Sequence, residues 1–231
     1  QDNWIPSLLQ AIDAGMDIVS GLHTKLSDYP ELKEAAAKAG VRLIDVRVPP
    51  ENLPIGNGEK RSGKRLLAVG TDCSVGKKYT TLAIAKALKA QGVDSDFRAT
   101  GQTGIMISGS GMPIDAVVSD FIAGAAESLS PANKVDHWDI VEGQGSLFTP
   151  AYAGVSLGLL HGTQPDAIVV CHDPLRKHIV GCPNHPIPHV QTCIETNLML
   201  ARLTNPRVKC VGVSVNTSAV PEQDRKALLE Q

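Results

Sequence analysis

Residues 65–81 decide the fold: Arg65-Leu66-Leu67-Ala68-Val69-Gly70-Thr71-Asp72-Cys73-Ser74-Val75-Gly76-Lys77-Lys78-Tyr79-Thr80-Thr81. A short apolar run reads as a buried strand. A glycine-bounded turn follows, and two lysines then open an Ala- and Leu-rich stretch that reads as a helix over 77–91, ended by Gly92. Glycines let the backbone approach an anion closely. Successive N–H groups and the positive end of the helix then favour phosphate. Lys77 is placed to reach an outer phosphate, and the run Gly70–Tyr79 is the expected cofactor cradle. Two features depart from the usual phosphate loop. Five residues, not four, separate Gly70 from Gly76, and Lys78 stands where a hydroxyl would meet Mg²⁺. Thr80 and Thr81 lie two or three residues out of register for that role. The loop is therefore expected to hold phosphate rather than to hydrolyse Mg-ATP.

Further strands are expected at 138–141, 167–170 and 210–215, with helices at 114–127, 150–160 and 190–202. Strands alternating with helices imply a parallel, doubly wound α/β sheet. Upstream, 4–14 and 30–39 read as helices, and 16–20 and 41–48 as strands. The Pro- and Gly-rich stretch 49–64 reads as a linker. The expected organisation is the end of an N-terminal Rossmann-like α/β domain over 1–48, that linker, and a P-loop-like α/β domain over 65–231. The chain opens at Gln1, without an initiator Met, on what reads as a helix, so a fragment of a longer protein is expected.

Composition narrows the function. The 231 residues are 42% hydrophobic and 20% charged, which fits a folded domain and not a disordered one. The net charge of −2 offers no basic excess for a nucleic-acid backbone, and aromatics at 3% are too few for a base-stacking surface. No apolar run reaches the roughly 18–20 residues of a membrane span. Five scattered cysteines without a CxxC pair fit free thiols in a reducing cytoplasm. The expected partner is a small molecule, with neither nucleic acid nor membrane, and the expected assembly a homo-oligomer.

The loop resembles that of dethiobiotin synthetase and its P-loop relatives, whose pattern is Gly-Thr-Asp-x-x-Val-Gly-Lys-Thr. Val141-Glu142-Gly143-Gln144-Gly145 and Val215-Asn216 resemble two further segments of that family, and the likeness covers roughly 65–220. It implies that Lys77 holds phosphate, that Asp72 and Glu142 face a metal or substrate, and that Asn216 reads a nucleotide base. The family's metal-binding Thr corresponds to Lys78. Its substrate lysine lies near Arg98–Gln102, where this chain has no Lys, so dethiobiotin synthesis itself is not expected.

The whole chain is also similar to the family DUF1611. The markers are Ser20-Gly-Leu-His, Asp45-Val-Arg, the loop at 70–81, Thr100-Gly-Gln-Thr-Gly, the run 113–125 and Val141-Glu-Gly-Gln-Gly-Ser-Leu. Some members of that family are assigned as D-glutamate N-acetyltransferases of D-amino-acid catabolism. The resemblance implies acetyl transfer from acetyl-CoA to D-glutamate or a similar amino acid. Acetyl-CoA is then the expected cofactor, with ATP and Mg²⁺ the alternative. An ATP-dependent ligase or kinase and a nucleotide-binding regulatory module are the competing readings.

Acyl transfer to an amine needs a base and donors for the oxyanion. Glu142, Asp120 and Asp173 are the expected catalytic carboxylates, with Asp115 a further candidate. Gln102, Thr103 and Gln144 are expected to face the substrate, and Arg98 and Arg176 are cations for a dicarboxylate. Asp115 and Asp120 also read as polar positions on an apolar helix. His172 follows a strand and reads as substrate-facing, whereas His23 reads as a loop residue. Cys73 at a helix N-terminus would have a lowered thiol pKa, which suits an acetyl-cysteine intermediate, although a small residue fitting the turn is the plainer reading. Cys182, His185 and His189 invite a zinc reading, but their spacing is irregular and Pro183, Pro186 and Pro188 already account for an ordered loop. No metal is expected.

Overall fold

A computed structural model describes residues 4–230; Gln1 and the start of the expected 1–48 unit lie outside the described residues. In chain order the elements are α1 (Ile5–Asp13), β1 (Ile18–Ser20), α2 (Pro30–Ala39), β2 (Leu43–Asp45), β3 (Lys64–Gly70), α3 (Lys77–Ala90), β4 (Ser95–Arg98) and α4 (Gln102–Ser108). They continue as α5 (Ile122–Leu129), β5 (Trp138–Val141), α6 (Ala153–Thr163), β6 (Ala167–His172), β7 (His178–Ile179), β8 (Cys182–Pro186), α7 (Val190–Ala201), β9 (Lys209–Val215) and α8 (Glu222–Leu229).

Five strands form one parallel sheet in the order β4-β5-β3-β6-β9, so the fold is the expected α/β class. Successive side chains of a strand leave opposite faces, and β3 shows this directly. Leu67 and Val69 pack with Ile122, Leu159 and Cys193, whereas Leu66 and Ala68 pack with Val75 and Ala85 of the α3 side. The chain leaves β3 toward β4, then returns to build outward through β6 and β9. Loops at the carboxyl ends of β3 and its neighbours therefore open into one crevice.

Upstream, β1 and β2 pair in parallel under α1 and α2, around Ile12, Leu26 and Leu32. Asp45 at the end of β2 accepts N–H bonds from Leu26 and Ser27, which fixes the turn there.

The 49–64 stretch is a strap laid on the larger unit. Pro54 C=O presses on Gly124, where a Cβ would fall 1.8 Å from that oxygen. Glu127 accepts from the N–H groups of Asn57 and Gly58. Arg61 and the buried Arg65 donate to the carbonyls of Ser130 and Pro131.

Expectation and structure differ at 114–127. Two 3₁₀ turns, Ile114–Ala116 and Ser119–Phe121, precede α5. Val117 and Val118 are extended between them, with ψ of 137° at both. The apolar spacing is kept, but β-branched valines in sequence favour the extended link. Among the described residues no helix is long and apolar enough to cross a membrane.

Candidate active site

A cleft of about 890 Å³ opens at the carboxyl edge of the sheet. One wall is the loop from Cys73 through Thr80. Gly76 has φ 108° and Ser74 φ 54°, so the backbone turns through left-handed conformations just before α3. A Cβ at Gly76 would enter open space. The N–H groups of Ser74 and Gly76 have no hydrogen-bond acceptor among the described residues. The first-turn N–H groups of α3 lack helical partners, as at any helix start.

Lys77 is only 6% exposed and its Nζ donates to Asp72 C=O at 2.7 Å. Burial pushes its ammonium below the usual lysine range, against the nearby thiols and Asp72. Lys78 sits at the rim with Nζ 4.4 Å from the centre of the Tyr79 ring.

Asp72 does not face the cleft. It is fully buried, and it accepts from Thr149 Oγ1 at 2.9 Å, Cys73 N–H at 2.7 Å, Val180 N–H at 2.8 Å and Arg176 at 2.8 Å. Burial opposes its charge, but these four donors outweigh it and hold the carboxyl below the ordinary range. The expected metal- or substrate-facing Asp72 is thus a tie between the loop and the 173–180 segment, and Arg176 is committed to it. Thr71, also fully buried, meets His172 Nδ1 through its hydroxyl at 3.0 Å. Thr81 returns its hydroxyl to Lys77 C=O at 2.9 Å, while Thr80 meets Ser214 Oγ at 2.8 Å.

The floor carries Glu142. It follows β5, is buried, and its Oε2 accepts from Thr100 N–H at 2.9 Å and Gly101 N–H at 3.2 Å. Burial raises its pKa, with those two N–H bonds and the charges of Lys78 and Lys77 opposing the rise. Gln144 lines the cleft and donates to Thr100 Oγ1 at 3.0 Å. Gln102, Thr103 and Asn216 line it as well. Asn216 Oδ1 accepts from Ser218 N–H at 3.1 Å.

Other expected site residues lie elsewhere. Asp120 is exposed on its 3₁₀ turn, outside the cleft. Asp173 closes its own turn by accepting from Leu175 N–H, 3.1 Å away. Arg98 is held by Asp139 at 2.6 Å, a diagonal contact between β4 and β5, whose register sets Asp96 opposite Asp139 and Arg98 opposite Val141. Cys73 lies at the cleft, but burial pushes its thiol up rather than down, against a Thr149 contact and the charge of Lys77. Cys182 and His185 lie on β8, paired with β7, and His189 precedes α7. Among the described residues, no group of three or more His, Cys, Asp or Glu side chains is placed to hold a metal.

The opposite wall holds the expected Gln102 and Asp115, but its arginine was not anticipated. Arg47, two residues beyond β2, reaches Asp115 at 2.6 Å, with His23 and Gln102 beside it. The signal was present, because an arginine just past the carboxyl end of a parallel strand obeys the rule that located the phosphate loop. What the sequence lacked was the pairing of 47 with 115.

A central parallel strand, a glycine-bounded turn and a buried lysine opening the next helix place the molecule among the P-loop α/β proteins. The chain belongs to the DUF1611 family: residues 54–231 match its P-loop domain, a domain of unknown function, and residues 1–49 match its Rossmann-like N-terminal domain. A protein of Pseudoalteromonas sp named D-glutamate N-acetyltransferase is 56% identical over 99% of this chain and 69% of its own length. One of Tritonibacter scottomollicae with the same name is 50% identical over 99% of this chain and 68% of its own. The crystal structure of a DUF1611 family protein from Anabaena variabilis superposes with a TM-score of 0.92 at 35% identity, covering 100% of this chain and 68% of that one.

Proposed function

We propose that this protein is an N-acetyltransferase that moves an acetyl group from acetyl-CoA to the amine of D-glutamate. The observation that carries the reading is the cleft itself. It joins an anion cradle to a buried carboxylate on its floor, in a chain 56% identical to a protein of that name. The cradle fits a phosphate-bearing cofactor. Loop N–H groups without acceptors among the described residues, two adjacent lysines and open space over Gly76 suit a pyrophosphate. Lys78, in place of a hydroxyl, gives a second cation where a metal ion would otherwise neutralise charge.

Acetyl-CoA, when bound, supplies a thioester carbonyl open to attack by an amine. Glu142 takes the proton of the substrate ammonium, and its raised pKa suits a base. The transfer would join that nitrogen to the acetyl carbon as the C–S bond breaks, with the nitrogen's second surplus proton going to the departing sulfur to give CoA thiol. Thr103 and the second N–H of Gln144 serve the developing oxyanion.

The test is release of free thiol from acetyl-CoA. Release that requires D-glutamate is the expected result; ADP formed from ATP and Mg²⁺, without thiol release, overturns the reading. Replacement of Lys78 by Ala is expected to raise KM for acetyl-CoA by about 10-fold, the worth of one charge-assisted contact. A Glu142→Gln variant is expected to lose roughly 10²- to 10⁴-fold in kcat. In the wild type, kcat/KM is expected to rise with pH through a carboxyl titration above the usual glutamate value of about 4.3, and the variant to lose that limb.

A further inference from the structure

We infer that the Arg47–Asp115 ion pair is the seat of the amino-acid end of the substrate, with carboxylate on Arg47 and ammonium on Asp115 until Glu142, which lines the same cleft, takes its proton. The assignment rests on the transferase reading and adds where, and by which groups, the acceptor is held.

Arg47 side chain is 9% exposed and Asp115 29%, yet both line the cleft across from the phosphate loop. Arg47 Nη1 donates to Gln102 Oε1 at 3.3 Å, and its Nη2 meets Asp115 Oδ2 at 2.6 Å and His23 Nδ1 at 3.1 Å. In that contact the His23 nitrogen accepts, because a guanidinium has only donors. Among the described residues Nε and the second Nη1 hydrogen of Arg47 bond to nothing, and neither does Asp115 Oδ1. The wall therefore offers free donors beside a free anionic acceptor. A zwitterion presents the same two charges in the opposite order, so it adds to the pair without leaving a buried charge unpaired.

The position is built rather than incidental. A Cβ at Gly21 would fall 2.8 Å from Gln102 Cγ, so the segment carrying His23 is pressed onto α4. Arg47 reaches the cleft from the end of β2, and Asp115 from the 3₁₀ turn before Val117. An interdomain latch alone would need neither the unbonded carboxylate oxygen nor the unused guanidinium donors.

Calorimetric titration of the protein with D-glutamate, glutarate and 4-aminobutyrate, each with and without CoA, separates the charges. Glutarate lacks the ammonium, and 4-aminobutyrate lacks the α-carboxylate. Wild type is expected to prefer D-glutamate to both. Arg47→Met is expected to weaken D-glutamate about 10- to 100-fold, in Kd and in KM, and to leave KM for acetyl-CoA within about twofold. Asp115→Asn is expected to abolish the preference for D-glutamate over glutarate. If Arg47→Met does not fold, Arg47→Lys is read instead, and a partial loss is expected because an ammonium cannot reproduce the guanidinium fork. A folded Arg47→Met or Arg47→Lys protein with unchanged Kd and KM for D-glutamate overturns the assignment, as does a wild type that binds no D-glutamate. Failure of the transferase reading looks different: D-glutamate then binds through Arg47, but no thiol is released.

Discussion

Asp72 shows how a residue inside a binding loop acts without touching a ligand. Its four donors come from three parts of the chain, so it sets where the loop turns and where the 173–180 segment rests. Asp72→Asn leaves Arg176 with only the more distant Asp173, 3.8 Å away, and is expected to cost about 2 kcal/mol, read by urea unfolding at pH 7. The sign with pH follows from the depressed folded-state value. The carboxylate contributes fully above its unfolded value of about 3.9, and the contribution is lost as pH falls through the lower folded value. The wild type therefore loses its margin over the variant in acid, and the two stability curves converge. The loop itself was legible in the sequence because strand, turn and helix are contiguous. The direction of Asp72 was not, since Thr149, Arg176 and Val180 enter only through the folded chain. The same holds for Arg98, whose partner Asp139 is supplied by strand pairing.

At the scale of elements, strands with β-branched cores announced themselves: 138–141 coincides with β5, and 210–215 lies within β9. β4, with the sequence Ser-Asp-Phe-Arg, went unread because it has neither a β-branched residue nor a long apolar run, and pairing with β5 is what makes it a strand. The strap at 49–64 was legible as an irregular stretch but not as a packed one. Its seat on α5 depends on Gly124, so Gly124→Ala forces Pro54 off the helix and is expected to cost roughly 1–3 kcal/mol in urea unfolding. The matching substitution at Gly154, where a Cβ meets nothing within 4 Å, is expected to be neutral or mildly stabilising, by up to about 1 kcal/mol.

The molecule as a whole is two layers of helix around a parallel sheet, with a smaller α/β piece that supplies one wall of the cleft. That wall reaches the sheet along a single covalent route, through a strap whose residues 54–60 are exposed although their backbone is anchored. A protease cut at one peptide there would leave the five-stranded sheet whole, with its far-ultraviolet signal expected to be unchanged. It would also convert Arg47 from a tethered neighbour of Asp115 into a separate solute. Its effective concentration would fall from the order of millimolar, typical of a short tether, to that of the protein in the tube. Activity of the nicked protein is then expected to fall on dilution, whereas that of the intact chain per molecule stays constant.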